Sequence, residues 1–493
     1  MIIFKLVVAL LLLCSPCWGA YTKWAVVTDA EFGAVGDGSN DDTAEIQAAL
    51  DTGSPVYIPP GTYKVSSDLL LNYPGQIISG QINANGTSHI YIISNAGFTN
   101  GVVKVLARNI QIRDLLFTFA QPNNDDLSDV DGDSNTTESC GDVWDDDNSL
   151  FTSCLAYMWA HGLTQYVPAV YSNGYPVDIN DCKITNAWDG IYLNGAVGGT
   201  SIHNLEISSF DDAVEVASLT NGSVNIDSMH YWPFDLTSSE NDDISSFLFD
   251  IDDTTEPSGS VAVKVGDCYP GSQVNITNAM FMYSYGIFMQ TRAVPGSVNY
   301  PRVTFKNSWD ERANAILMLD GELLVDSCLL QCTTAGAPLP YTGSGYSLRK
   351  LAGKAVIKNS YIRFSWYVGS NGPSGCDDGI IYNKTGDLII DGCYIYKTGD
   401  ELYNFNIEGG QCIFSNNVFF MNAHVTPAIG YVASGALITM VGNRFTYGVP
   451  VKLAADGDHI LYGNWFYADG QDSGGNDLPS SYSGIVYENN IDQ

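Results

Sequence analysis

Three aspartates carry the strongest chemical signal in the sequence. Asp189 stands in Asn186-Ala187-Trp188-Asp189-Gly190-Ile191-Tyr192. Asp211 and Asp212 stand in Ser208-Ser209-Phe210-Asp211-Asp212-Ala213-Val214-Glu215-Val216. Asp189 follows Asp181 by eight residues, and Asp212 follows Asn204 by eight. If those spans are equivalent stretches of a repeating coil, the carboxylates fall at the same place on consecutive turns. Stacked strands lie about 4.8 Å apart, so Asp189, Asp211 and Asp212 crowd one patch. Crowded carboxylates push their pKa values apart, leaving one protonated beside another that is ionised. A glycosidic bond is hydrolysed by such a pair: an acid for the leaving oxygen, and a carboxylate that activates water or attacks. The alternative reading makes the same aspartates turn residues or calcium ligands.

The neighbouring aromatic residues suit a sugar ligand, because flat rings stack on the apolar faces of pyranoses. Trp188, Tyr192, His230, Tyr231 and Trp232 are therefore the candidate substrate contacts, although aromatic residues also fill interiors. A lyase would need a base and a cation to neutralise a uronate. His230, Lys264, Arg292 and Arg312 are the candidates, but they are scattered along the chain. Trp309-Asp310-Glu311-Arg312 reads equally as an exposed ion pair. Asp129, Asp131 and Asp133, with Asn135, have the alternate spacing of an oxygen-rich calcium loop. Ser134 replaces the expected Gly, and no Glu completes the motif. Calcium is the one cofactor this pattern suggests; otherwise the segment is a solvated acidic loop.

A repeating scaffold must bring these residues together. Apolar alternation followed by Asn or a small polar residue recurs in Val177-Asp178-Ile179-Asn180-Asp181-Cys182-Lys183-Ile184 and Ser201-Ile202-His203-Asn204-Leu205-Glu206-Ile207. It returns in Val274-Asn275-Ile276-Thr277-Asn278-Ala279-Met280-Phe281. Later copies centre on Asn307, Ser327, Asn359, Gly392, Asn416, Asn443 and Asn464, at gaps of 20 to 33 residues. Variable loops around a constant strand register produce this pattern. One turn cannot bury its own apolar face, so turns must stack. The Asn column is read as structural, since Asn satisfies tight bends and stacks into ladders.

Near the start, Glu31-Phe32-Gly33-Ala34-Val35-Gly36-Asp37-Gly38 leads into Asn40-Asp41-Asp42-Thr43-Ala44-Glu45-Ile46. Asp41 or Asp42 is the expected N-cap, with Glu45 completing a capping box. Ala44, Ile46, Ala49 and Leu50 should face a core. Val56-Tyr57-Ile58-Pro59-Pro60-Gly61-Thr62-Tyr63 then reads as strand, turn and strand.

This block resembles the N-terminal segment of the pectate-lyase-like β-helix superfamily, which includes polysaccharide-degrading enzymes and phage tailspikes. The resemblance implies an all-β fold: a right-handed, single-stranded parallel β-helix with a short N-terminal capping helix. The aspartate stretch is similar to polygalacturonase-type glycoside hydrolases. By that similarity Asp211 is the general acid, while Asp189 and Asp212 activate water. Ala187-Trp188 replaces the family's Asn-Thr, and its Gly-His-Gly motif has no counterpart. Tailspike-like proteins are the second resemblance, implying a non-catalytic carbohydrate-binding adhesin, and a homotrimer as well as a monomer.

Residues 1–19 read as an export signal: Lys5, the apolar run Leu6 to Leu13, and small residues before a cleavage after Gly19. The expected protein is secreted and extracellular, with one domain at 20–493 and an acidic insertion at about 122–148. Nine cysteines then remain of 11, and an exported chain can oxidise them. Cys140/Cys154, Cys328/Cys332 and Cys376/Cys393 are candidate bridges. Five sequons occur, at Asn85, Asn135, Asn221, Asn275 and Asn383. The net charge of −34 repels nucleic acid and anionic membranes. The expected partner is a polysaccharide, with anionic ones disfavoured.

Overall fold

The computed structural model describes residues 23–121, 164–232, 261–282, 285–290, 298–311, 316–335, 346–367, 379–398, 405–421, 431–432, 436–446, 459–467, 485–488 and 491–492. Strands pair in parallel from turn to turn and form one sheet of 30 strands and another of 12. Parallel connections within a sheet are nearly always right-handed, and these sheets fit that class. The chain is therefore a right-handed parallel β-helix. Among the described residues no helix is long and apolar enough to cross a membrane.

The site lies on three successive turns. The strands that build it are β1 (Val177–Ala187), β2 (Ile191–Gly195), β3 (Ser201–Ser209), β4 (Asp212–Leu219), β5 (Ser223–Trp232) and β6 (Val261–Cys268). β1, β3 and β5 stack in the larger sheet; β2, β4 and β6 stack in the smaller one. Alternation on either side of the bends at Asp181 and Asn204 turns Ile179, Ile184, Ile202 and Ile207 inward, and Val214 and Val263 also face the core, all essentially without solvent contact. Each such side chain contributes about 1.5–3 kcal/mol when fully buried.

Two polar columns shape each turn, one residue apart. The outer column has left-handed backbone, at φ 53° for Asp181, 52° for Asn204, 49° for Asn307, 51° for Asn359 and 56° for Asn416. Gly392, Gly442 and Gly463 take the same place, as residues suited to positive φ. The inner column is buried. Asn417 N–H donates to Asn443 Oδ1 at 3.0 Å, and Asn443 N–H donates to Asn464 Oδ1 at 3.0 Å. The motif centres expected from the sequence thus merge two registers: Asn307 to Asn416 belong to the outer column, Asn443 and Asn464 to the inner.

α1 (Thr43–Leu50) buries Ile46, Ala49 and Leu50 against the first turns. Ala44 is exposed, which corrects the expected core face. Asp42 is the N-cap residue but makes no side-chain cap bond. Its carboxylate instead accepts from the N–H groups of Val35 at 2.6 Å and Gly36 at 3.1 Å. The expected capping box gives way to an anchor for the glycine-rich segment.

Two expected disulfides are absent. Cys328 and Cys393 are free and buried. Their thiols face inward, Cys328 toward the Phe305 carbonyl at 3.4 Å and Cys393 toward the Ile357 carbonyl at 3.6 Å. Each occupies the inner column's position, pointing away from any outside partner. Asp310 is also corrected: it is not an exposed ion pair but fully buried, between Phe281 and Leu330 in register. The export signal, the 122–148 insertion, Cys140/Cys154, Asn135, Arg292 and Arg312 lie outside the described residues.

Candidate active site

Asp189 and Asp212 meet where the chain turns from the larger sheet into the smaller one. Ala187 pairs with Ser209 across the two turns, and Tyr192 pairs with Glu215. Between those ladders the corner is held by backbone bonds. Phe210 N–H donates to Ala187 O at 2.9 Å, Asp211 N–H to Trp188 O at 3.0 Å, and Gly190 N–H to Asp212 O at 2.9 Å. Gly190 is required by packing. A Cβ there would lie 2.2 Å from Ile207 Cδ1 and 2.4 Å from Ala213 O, inside any real contact distance.

This corner brings all three aspartates together. One carboxylate oxygen from each of Asp189, Asp211 and Asp212 lies within 4.8 Å of the others. Asp212 is buried, whereas Asp189 and Asp211 are half-buried. Lys264, from β6, lies 3.0 Å from Asp212 and 3.7 Å from Glu215. Among the described residues, Asp189, Asp211, Asp212, Glu215 and Lys264 make up this charged cluster.

The electrostatics follow from this crowding. Burial, then the Asp211 and Glu215 charges, push the Asp189 carboxyl up to about 7. The Asp212 N–H and Lys264 pull the other way without reversing the shift. Burial raises Asp212 well above the usual carboxylate range, and its carboxylate neighbours add to this. Lys264 offsets part of that rise. A carboxyl poised near neutral pH among crowded carboxylates is suited to general acid catalysis. The three aspartates could also supply oxygens to a hard cation such as calcium. The Lys264 ammonium, however, already provides the counter-charge at Asp212.

The other candidates separate clearly. Tyr192 stands beside Glu215 in register and stacks on Tyr171, with centroids 5.2 Å apart and planes 4° apart. Trp188 is half-buried at the corner, packed on the core. Tyr231 is fully buried, with its hydroxyl 3.3 Å from the Ser209 carbonyl. It is a core residue and cannot touch a sugar, which corrects the expectation. His230 pairs with Glu206 and Met280 in the larger sheet, so it does not join the carboxylates on the smaller one. The Trp232 side chain and Asp129, Asp131 and Asp133 lie outside the described residues.

Two members of the cluster were missed or misplaced by sequence reasoning. Glu215 was unassigned, and Lys264 was one of the scattered cations. The signal existed: Ile191-Tyr192-Leu193, Val214-Glu215-Val216 and Val263-Lys264-Val265 are three aligned triplets on stacked strands. The interval between Val216 and Val263, about twice the preceding one, hid the third.

Comparison with known proteins agrees with this architecture. Residues 26–232, which include all three aspartates, match the family described as rhamnogalacturonase A/epimerase, pectate lyase-like. Residues 267–466 match the right handed beta helix region. Each match covers less than half of the chain, and both describe proteins of the pectate-lyase-like or right-handed β-helix kind. It is 42% identical over 67 residues to a probable glucan endo-1,3-beta-glucosidase of Arthroderma benhamiae, covering 11% of this chain and 8% of that one. It is 38% identical over 85 residues to mannuronan C5-epimerase AlgE3 of Azotobacter vinelandii, covering 15% and 4%. The chain therefore spans less than a tenth of either curated relative it matches. Among solved structures, the A-module of Azotobacter vinelandii mannuronan C-5 epimerase AlgE6 is similar at 12% identity and a TM-score of 0.42, covering 96% of this chain and 99% of that one.

Proposed function

We propose that the chain is a polysaccharide-cleaving glycoside hydrolase whose chemistry rests on Asp189 and Asp211. The observation that carries this reading is the approach of three carboxylates within 4.8 Å. Asp189, held at about 7, gives its proton to the glycosidic oxygen. Asp211 is the partner carboxylate. The 4.8 Å bound on one oxygen from each carboxylate favours the close arrangement of retaining enzymes, where the second carboxylate attacks, over the wider one, roughly 6.5–9.5 Å, that makes room for a water. Asp212 is too buried to reach substrate and acts as a positioning residue. This exchanges the roles that the polygalacturonase resemblance implies for Asp189 and Asp211. Tyr192 and Trp188 are the sugar contacts.

The polysaccharide class is supported by the matched family and by the two curated relatives, whose names specify a glucan and a mannuronan. A lyase reading is weaker. Its base would be Lys264, which is engaged in ion pairs with Asp212 and Glu215. The test is a polysaccharide panel scored for new reducing ends and for absorbance from unsaturated products. Reducing ends alone are expected. Both signals together would indicate a lyase, and binding without either would indicate an adhesin.

A further inference from the structure

A cavity lies on the outer face of the larger sheet, in its first turns. It has a volume of about 340 Å³ and is lined by Trp24, Tyr57, Ser79 and Arg113. That is the lower end of the range for small-molecule sites, roughly 300–1,000 Å³. Its residues are fixed by strand register: Tyr57 pairs with Ser79, and Ser79 pairs with Arg113. Trp24 precedes the first strand, is 38% exposed, and lies under the Arg113 guanidinium at 5.9 Å.

Arg113 differs from the ion-paired cations among the described residues. Lys104, Lys183, Lys264, Arg302 and Lys358 all have acidic partners, as a net charge of −34 makes easy. Arg113 has none among the described residues, and its Nε is buried without a hydrogen-bond partner. Asp114 is near enough to feel its charge, but takes a hydrogen bond from the Ser79 hydroxyl instead. A desolvated donor without an acceptor costs about 1–3 kcal/mol. A planar guanidinium matches a carboxylate with two parallel hydrogen bonds. The Trp24 and Tyr57 rings offer an apolar wall of the kind a pyranose face needs.

We propose that this cavity binds a sugar carboxylate, a uronate unit, separately from the carboxylate cluster. The assignment to a sugar rests on the polysaccharide reading above; the assignment to a carboxylate rests on Arg113. The test is calorimetric titration with digalacturonate, and with cellobiose as the neutral probe. The full chain should bind digalacturonate at a single saturable site, with cellobiose roughly tenfold weaker or worse. Arg113→Gln and Trp24→Ala should each weaken digalacturonate by roughly tenfold or more. Arg113→Lys, which keeps the charge and loses the fork, should fall between, with an unchanged unfolding midpoint confirming the fold.

Asp189→Asn combined with Asp211→Asn should leave this binding intact. Equal affinity for both probes, no saturable binding, or full affinity in Arg113→Gln would overturn the proposal. Loss of binding in the double aspartate variant alone would place the uronate at the cluster, overturning this site but not hydrolysis. Arg113-dependent binding in a chain that cleaves no polysaccharide would uphold this site and remove the hydrolase reading.

Discussion

Asp212 and Asp189 are tied across one turn of the coil: the Asp212 N–H donates to Asp189 Oδ1 at 3.4 Å. The same two turns are clasped in the other direction by the Gly190 N–H on the Asp212 carbonyl at 2.9 Å. The orientation of the proposed acid is thus set by backbone, and it survives changes at neighbouring side chains.

Asp189→Asn should therefore fold normally and lose activity. A positioned acid supplies about 10²–10⁴-fold in rate, so kcat should fall by about that factor. In the parent protein, activity should decline as pH rises through about 7, where Asp189 gives up its proton. Reducing-end assays across pH on both proteins check this. A parent profile flat from pH 5 to 9, as a rough range for the assay, would remove Asp189 from the acid role.

Lys264→Met removes the ammonium beside Asp212 and Glu215. Both lie largely out of water, at 4% and 18% side-chain exposure. Breaking a buried pair from one side costs about 3–5 kcal/mol, so the urea midpoint at neutral pH should drop by the equivalent. Lys264 holds the Asp189 value down, so its loss should also move the alkaline limb of activity to higher pH. Adding Asp212→Asn should recover part of the stability. Additive losses in the double variant would show that the two groups do not act as a pair.

Asp310 gives the fold a pH dependence of its own. Burial raises its carboxyl well above the usual range, and among the described residues neither oxygen has a hydrogen-bond partner. Below the unfolded value near 3.8, the group is protonated in both states and costs no ionisation energy. Above it the unfolded chain ionises while the folded chain does not. Stability then falls by about 1.4 kcal/mol per pH unit until the folded value is passed. Asp310→Leu should remove this slope and raise the unfolding midpoint at pH 7, a typical neutral condition. An unchanged midpoint there would contradict the burial argument.

Asn443→Ala should destabilise more than Asn416→Gly, although the two sites are one column apart. Asn443 accepts from the Asn417 N–H and donates to the Phe414 carbonyl and Asn464 Oδ1. Each orphaned buried group costs about 1–3 kcal/mol. Asn416 is exposed at φ 56°, where glycine is well tolerated. Thermal melts of both variants provide the comparison, and equal losses would mean the inner ladder carries no special weight.

The sequence makes the coil legible because alternation and the recurring bend are local signals. Asp189 and Asp212 could be aligned from their spacing to Asp181 and Asn204, and their oxygens do converge. What was not legible depends on facing direction. Tyr231 and Asp310 fall on inward positions, yet an aromatic beside His230 reads as a ligand contact and an aspartate beside Glu311 as surface. Asp42 was read as a local cap, but its carboxylate reaches back six and seven residues. Arg113 gave no signal at all, since its cavity arises only when Tyr57 and Ser79 stack beside it.

The left-handed column has a consequence for how such a chain can change. At Asp181, Asn204, Ser228 and Asn278 the main chain is redirected by one residue's own torsion, whatever length of polypeptide preceded it. Each coil therefore begins afresh, and a segment spliced in elsewhere leaves the following strands in phase. Substrate-facing surfaces can diversify by insertion while the scaffold beneath keeps its pitch.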